Sequence, residues 1–253
     1  MNTLAIDIGN TRVKTELWND DGFMGSLGGE DINAEKIEET ISKYSIRGII
    51  VASVRRDFKD ILEPLGNHRD CSTVVFNQQE INRFYKGINH YKGNIGVDRF
   101  AAFLGTKCYN GVSSNLIIDA GTALTTDISH NGNFIGGNIS LGITTRLKAI
   151  HHYTSMLPEI DDPFTHHVFG EDTQSAIKAG VLSGIKGELK LVVENAKRLY
   201  NINNIFITGG EAKVVKAIMG DDYRNCITDQ FLVTRGLDYH LRRYYVQREN
   251  YPF

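Results

Sequence analysis

Short apolar runs bounded by glycine or polar turn residues recur along the chain, and amphipathic segments of helical period lie between them. Leu4-Ala5-Ile6, Gly48-Ile49-Ile50-Val51-Ala52 and Leu116-Ile117-Ile118 have the length and continuity of buried strands, and Ile205-Phe206-Ile207 reads the same way. Residues 13–18 and 124–128 read as strands that turn back through Asn19-Asp20-Asp21-Gly22 and His130-Asn131-Gly132, where Asn-Gly is a strong hairpin signal. From 33 to 45, Ile37, Ile41 and Tyr44 share one helical face while the charged residues fall largely elsewhere, and Asn33 is placed to cap the helix. Residues 57–63 predict a short helix stopped near Pro64, and 73–76 another strand. Further helices are expected over 100–109, 143–152, 176–200 and 236–246. The first half thus reads β-β-β-α-β-α-β, a mixed sheet with helices packed on it, and the chain as α/β.

The apolar run at the N-terminus ends in Asp7-Ile8-Gly9-Asn10-Thr11-Arg12-Val13-Lys14. Gly9 allows a sharp turn and close backbone approach to a ligand. Asn10, Thr11 and Lys14 add donors to the bare amides. Together they can hold phosphate oxygens, with Asp7 set to meet the accompanying metal ion. The same design returns at Leu116-Ile117-Ile118-Asp119-Ala120-Gly121-Thr122, again followed by a strand and a hairpin turn. One Asp-x-Gly turn is ordinary loop chemistry. Two copies with matching surroundings indicate duplicated halves that face each other across a nucleotide. No G-x-x-x-x-G-K-[ST] segment occurs, and no G-x-G-x-x-G opens a helix after a strand.

Composition narrows the partners. A length of 253 residues with 41% apolar content supports two modest domains or one large one. The net charge of −2 argues against nucleic acid or a membrane surface as the main partner, and no apolar run approaches a membrane span. Met1-Asn2-Thr3-Leu4 enters a strand directly, without a basic or apolar leader. Cys71, Cys108 and Cys226 are odd in number and lack metal-ligand spacing, which fits reduced thiols in a cytoplasmic protein.

Other segments carry candidate chemistry. Residues 85–94 read as a functional loop leading to Gly96-Val97-Asp98-Arg99 at the head of a helix. Asp98 is either a dipole-favoured helix-start acid or a base beside an anion clamp. Gly136-Gly137-Asn138-Ile139-Ser140-Leu141-Gly142 reads as a turn before a helix, suited to an anion or to close backbone approach. Residues 154–169 are punctuated as loop by Pro158 and Pro163. The adjacent pairs His151-His152 and His166-His167 cannot face one ligand together on a helix, so they read as surface groups or as supports behind a site rather than as metal ligands. Gly180, Gly184 and Gly187 lie roughly on one face of the long helix, each costing about 1 kcal/mol relative to alanine. Close packing within the chain or across a dimer would offset that. Thr208-Gly209-Gly210 ends a strand in a bare turn against which a flat adenine ring could slide.

Taken together these residues resemble the type III pantothenate kinases of the acetate and sugar kinase/heat-shock 70/actin superfamily. The resemblance spans nearly the whole chain, carried by Asp7 to Thr11 with Lys14, Gly96 to Arg99, Asp119 to Thr122, Gly136-Gly137 with Ser140 and Gly142, Asp172-Thr173-Gln174-Ser175, and Thr208-Gly209-Gly210. It implies two duplicated ribonuclease H-like domains of the actin-like ATPase type, residues 1–113 and 114–253, each a mixed sheet with flanking helices, with a nucleotide cleft between them. It implies phosphorylation of pantothenate with ATP and Mg²⁺, the first step toward coenzyme A, with potassium or ammonium as monovalent cation and a homodimer as the typical assembly. Position by position, Asp7, Ile8, Gly9, Asn10, Thr11, Arg12, Val13 and Lys14 would form the ATP phosphate loop, and Asp7 would meet Mg²⁺. Thr122, Gly209 and Gly210 would be further ATP contacts. Asp98 would be the catalytic base, with Tyr91, Gly96, Val97, Arg99 and Thr173 lining the pantothenate site and Asp119 binding the monovalent cation. The sequence departs from the family in a shorter, proline-free spacer after Tyr91, which leaves Tyr91 or Tyr85 as the substrate tyrosine, and in Leu141 where proline is common. Two other functions fit the same residues: a kinase of the superfamily acting on a sugar or carboxylate, or a non-catalytic ATP-binding regulator.

Overall fold

A computed structural model describes residues 1–28, 33–55, 71–111, 113–164, 168–220 and 223–250. The helix expected over 57–63 and the His166-His167 pair lie outside the described residues. The chain divides into two compact units. One comprises Met1–Val112, Gly132–Phe134 and Phe231–Phe253, the other Ser113–Asn131 and Ile135–Gln230.

The first unit is built on a five-stranded sheet ordered β3-β2-β1-β4-β5, with β1 Asn2–Ile8, β2 Val13–Asn19, β3 Gly22–Ser26, β4 Ile46–Ser53 and β5 Ser72–Val75. β1 runs antiparallel to β2 and parallel to β4. Leu4, Ile6 and Ile8 pack with Ile49, Val51 and Ile37, the last from helix α1 (Ala34–Tyr44). Asn33 caps α1 by accepting from the Lys36 amide. The buried alternate residues Ala5, Ile50 and Ala52 face the other way. That double burial explains the unbroken apolar runs.

Helix α2 (Gln78–Tyr85) was not anticipated, because only Ile81 and Tyr85 are buried in an otherwise polar stretch. Asn77 starts it by accepting from the Gln79 and Glu80 amides. Helix α3 (Val97–Asn110) crosses the last helix, α7 (Leu232–Asn250), at backbone contact. A methyl group at Gly105 would lie 2.2 Å from the Leu232 carbonyl, and one at Gly236 would lie 1.8 Å from the Ala101 carbonyl. Only hydrogen fits at either position. This crossing puts α7 in the first unit, although chain order places it with the second half.

The second unit repeats the design with a sheet ordered β10-β9-β6-β7-β8. Its strands are β6 Asn115–Ala120, β7 Ala123–His130, β8 Asn133–Leu141 (whose first two residues, Asn133 and Phe134, belong to the first unit), β9 Asn204–Thr208 and β10 Ile227–Thr228. β6 is antiparallel to β7 and parallel to β9. Asn131 and Gly132, both at positive φ, make the turn between β7 and β8. Gly136-Gly137 lies inside β8 rather than in the expected turn. At Gly137 a methyl group would sit 2.0 Å from the Thr126 carbonyl, so glycine lets the strand pass against its neighbour. Helices α4 (Ile143–Tyr153), α5 (Thr173–Tyr200) and α6 (Ala212–Met219) join the core around Leu147, Ile185, Leu189 and Val215. Among the described residues no helix is long and apolar enough to cross a membrane.

Within the first unit, the fully buried His240 of α7 lies between the Tyr85 hydroxyl, 3.0 Å from Nδ1, and the Glu80 carboxylate, 3.2 Å from Nε2. Burial, helped by the Arg243 charge, lowers its pKa to about 4. The unfolded histidine titrates near 6.5, so protons bind the unfolded chain first. Stability is therefore full above about pH 6.5 and falls as pH drops toward 4, by about 2 kcal/mol at pH 5. Glu80, whose carboxyl burial raises, offsets part of that loss at the acid end. Denaturant unfolding between pH 7.5 and 5 should show this decline, and His240→Gln should flatten it; equal slopes in both proteins would assign the acid sensitivity elsewhere.

Candidate active site

In the first unit, β1 carries Asp7 to its end, opposite Lys14 of β2 and beside Ala52 of β4. Asp7 is 8% exposed, whereas Asn10, Thr11 and Arg12 project into solvent. The turn is closed by the Gly9 amide donating to the Arg12 carbonyl at 3.0 Å. A loop after β4 lies alongside, with the Val54 amide donating to the Ile8 carbonyl at 3.1 Å. The result is a bare, donor-rich turn with a cationic side chain opposite its carboxylate, suited to phosphate oxygens and to a small divalent cation that they share.

The same unit holds the Asp98 group at the head of α3. The helix starts without a side-chain cap. Asp98 Oδ1 accepts from the Arg99 amide at 2.8 Å, where the helix dipole favours a negative charge. A side chain at Gly96 would come within 2.7 Å of that oxygen and displace it. Arg99 is buried with its guanidinium 5.5 Å from the centre of the Tyr91 ring. The Tyr91 amide is held by Asn89 Oδ1 at 3.1 Å, and its ring lies edge-on to Phe134. Tyr91, Gly96, Val97, Asp98 and Arg99 thus form one group. Tyr85 is different: it is 3% exposed, its hydroxyl meets His240, and burial raises its phenol well above the ordinary value.

In the second unit, β6 delivers Asp119 opposite Thr125 of β7 and Thr208 of β9. The turn that follows is tighter than its counterpart, closed by the Gly121 amide to the Ala123 carbonyl at 3.0 Å. The Thr122 carbonyl accepts from the Gly142 amide at 3.0 Å and from Thr145 Oγ1 at 2.7 Å. Gly209, at φ 92°, packs so closely that a methyl group would lie 2.4 Å from Asp119 Oδ1 and 2.3 Å from the Ala120 carbonyl. Thr208 is fully buried, and among the described residues its hydroxyl oxygen has no hydrogen-bond partner. An anionic oxygen flanked by hydroxyl-bearing residues, one hydroxyl unsatisfied, is a donor set that fits a hard cation.

The start of α4 resolves the two uses open for the 136–142 segment. Its first amides are taken by a carboxylate of the chain itself: Glu211 accepts from Ile143 N at 2.9 Å, from Thr144 N at 3.0 Å and from the Thr144 hydroxyl. Gly142 serves close approach instead, since a methyl group there would lie 1.9 Å from the Gly121 carbonyl. Glu211 was not a sequence candidate. Thr173 stands exposed at the start of α5, beside Met156, Pro158, Asp172 and Gln174 around an open depression. Asp172 and Ser175 form a capping box, which accounts for two residues of the Asp172–Ser175 run.

Comparison with known proteins places these features in a family. A sequence model of the family described as type III pantothenate kinase matches residues 3–195. The type III pantothenate kinase of Bacteroides fragilis strain YCH46 is 31% identical over 243 residues, covering 93% of this chain and 95% of that protein. The Flavobacterium johnsoniae enzyme of the same description is 30% identical over 213 residues, covering 83% and 86%. Among solved structures, a conserved Baf family protein from Campylobacter jejuni is similar at TM-score 0.59 and 22% identity, covering 96% of this chain and 99% of that one. The ADPNP-bound activator of the 2-hydroxyisocaproyl-CoA dehydratase from Clostridium difficile is similar at TM-score 0.54 and 13% identity, covering 99% and 97%. The two open mixed sheets with flanking helices are the actin-like ATPase fold.

The two glycines after β9 differ in what they tolerate. Gly209→Ala should destabilise the protein by roughly 2–4 kcal/mol, through positive φ and collision with the Asp119 turn. At Gly210 nothing lies within 4 Å of the place an added methyl group would take. Gly210→Ala should therefore stay within about 0.5 kcal/mol of wild type. Urea unfolding of both variants checks the pair, and equal losses would refute the assigned difference.

Proposed function

We propose that this chain, which belongs to the type III pantothenate kinase family, transfers the terminal phosphoryl group of ATP to the primary hydroxyl of pantothenate, giving 4'-phosphopantothenate and ADP. The observation that carries the reading is the grouping of Asp98, Arg99 and Tyr91 at the head of α3. A nucleotide-sensing regulator has no evident use for an acid at a helix head followed by a buried arginine set over a tyrosine ring.

In this mechanism the turn from Asp7 to Lys14 holds the phosphates through Gly9, Asn10, Thr11 and the Lys14 charge. Thr122 contributes a further ATP contact, and the Gly209-Gly210 turn lies by the adenosine. Asp7 would hold Mg²⁺, which when bound neutralises phosphate charge. Asp119 would hold the monovalent cation, potassium or ammonium, with the unsatisfied Thr208 hydroxyl supporting that fit. The pantothenate oxygen forms a bond to the γ-phosphorus as the bond to the ADP oxygen breaks, and Asp98 accepts the hydroxyl proton. Gly96 leaves room at the carboxylate, and Val97 is a further part of the pantothenate site's lining. Arg99 pairs with an acceptor oxygen of pantothenate, held in place by Tyr91 in a way that lysine could not copy. Thr173 is a further pantothenate contact.

A homodimer is part of the same proposal. Gly180, Gly184 and Gly187 are exposed; a methyl group at Gly180 or Gly187 would meet nothing within 4 Å, and one at Gly184 only the Arg146 guanidinium at 3.8 Å. Ile139, Leu141 and Leu191 in the same unit are exposed as well. Close packing against a second copy would bury this surface and offset the helical glycines. A cytoplasmic location fits three cysteines that are not joined in disulfides.

Asp98→Asn should lower kcat by about 10²–10⁴-fold with ATP affinity little changed, as read by pantothenate-dependent ADP release. Near-normal turnover would remove Asp98 from its role, and ADP release with sugars or carboxylates instead of pantothenate would move the enzyme elsewhere in the superfamily. Sedimentation equilibrium should give about twice the 28.3 kDa chain mass, and Leu191→Glu should shift it toward one. A monomeric wild type would refute the assembly.

A further inference from the structure

Glu211 ties together three backbone segments of the second unit. Its own amide donates to the Ala120 carbonyl at 2.9 Å, one residue beyond Asp119. Its carboxylate accepts from the Ile143 and Thr144 amides and from the Thr144 hydroxyl. Its position follows directly on Gly209-Gly210, so the turn after β9 cannot shift without moving it. The segment it grips is itself fastened to the Asp119 turn, through Gly142 N and Thr145 Oγ1 on the Thr122 carbonyl. A closed set of contacts results: the β6 turn, the start of α4 and the β9 turn each restrain the other two.

The anion is essential to this arrangement. Two backbone amides and a hydroxyl converge on its two oxygens, and all are donors. The charge also meets the positive end of the α4 dipole. A carboxylate satisfies such a set; a carboxamide of the same size cannot, because one of its two ends is a donor.

We propose that Glu211 is a positioning residue for nucleotide binding: it holds Thr122 and the Gly209-Gly210 turn in the geometry that receives ATP, without touching the substrate alcohol. The proposal rests on the assignment of those residues to the nucleotide. It extends that assignment by naming what keeps the nucleotide contacts in register.

The test compares Glu211→Gln and Glu211→Asp with wild type. AMPPNP affinity by titration calorimetry is the first readout. The KM values for ATP and pantothenate are the second, and the melting temperature is the control for folding. Glu211→Gln preserves volume but not acceptor chemistry. It should weaken AMPPNP binding about tenfold and raise the ATP KM similarly, while the pantothenate KM stays within about twofold. Glu211→Asp keeps two acceptor oxygens on a shorter stem and should recover part of the loss. AMPPNP affinity within twofold of wild type in Glu211→Gln would overturn the proposal, as would an equal rise in both KM values. A wild-type protein that binds AMPPNP but does not phosphorylate pantothenate would defeat the proposed reaction alone, since the calorimetric comparison still decides the role of Glu211.

Discussion

Central strands buried on both faces are the constraint on which the rest depends. β1 and β6 lie between neighbouring strands, and the apolar residues Leu4, Ile6, Leu116 and Ile118 are fully buried. Inside such a sheet the backbone amides and carbonyls are committed to the ladder. Chemistry therefore collects where the ladder stops. Asp7 and Asp119 are each the second-to-last residue of their strand, and each is followed by a glycine whose amide closes the turn. The carboxylate is held by the sheet while the next few amides are released from it. A rigid acid beside a backbone turn that has left the ladder is an arrangement on which an anion and its cation can be held.

The two copies of this arrangement differ in their flanks. Across the ladder Asp7 faces Lys14, while Asp119 faces Thr125 and has Thr208 on its other side. A lysine opposite a carboxylate reduces the local negative field and adds a donor for phosphate. Threonines leave the field intact and add neutral oxygens. The duplicated scaffold therefore supports division of labour by substitution at strand positions that are equivalent in register. The difference is electrostatic as well as geometric: glycine closes both turns, onto the Arg12 carbonyl in the first and, more tightly, onto the Ala123 carbonyl in the second.

Much of this was legible in the sequence because strand-end acids in apolar runs are local patterns. The paired Asp-x-Gly turns, the Asn-Gly hairpin, Asn33 as a cap and Asp98-Arg99 at a helix head each depend on residues within a few positions of one another. The misread features depend on distant partners. Gly136-Gly137 looks like a turn until the Thr126 carbonyl is seen to occupy the space a side chain would need. The placement of α7 follows from Gly105 and Gly236 meeting backbone far away in sequence. Helix α2 hides because its buried face is only Ile81 and Tyr85. Tyr91 and Tyr85 both stand near Gly96 in sequence, with Tyr91 preferred as the substrate tyrosine, and the contact that engages the Tyr85 hydroxyl comes from His240, 155 positions beyond it.

Glu211 shows the same limit most sharply. In sequence it is one acidic residue after two glycines; its carboxylate partners are 67 and 68 positions upstream. The start of α4 has the marks of an anion site: preceding glycines, a glycine N-cap with no side chain to offer and no acidic residue in its first turn. The structure supplies the anion from within. A helix N-terminus filled by the protein's own carboxylate is a structural joint rather than a ligand site, and only the far partner distinguishes the two. The helix start thus fastens the Asp119 turn in place, through the Gly142 amide and the Thr145 hydroxyl on the Thr122 carbonyl.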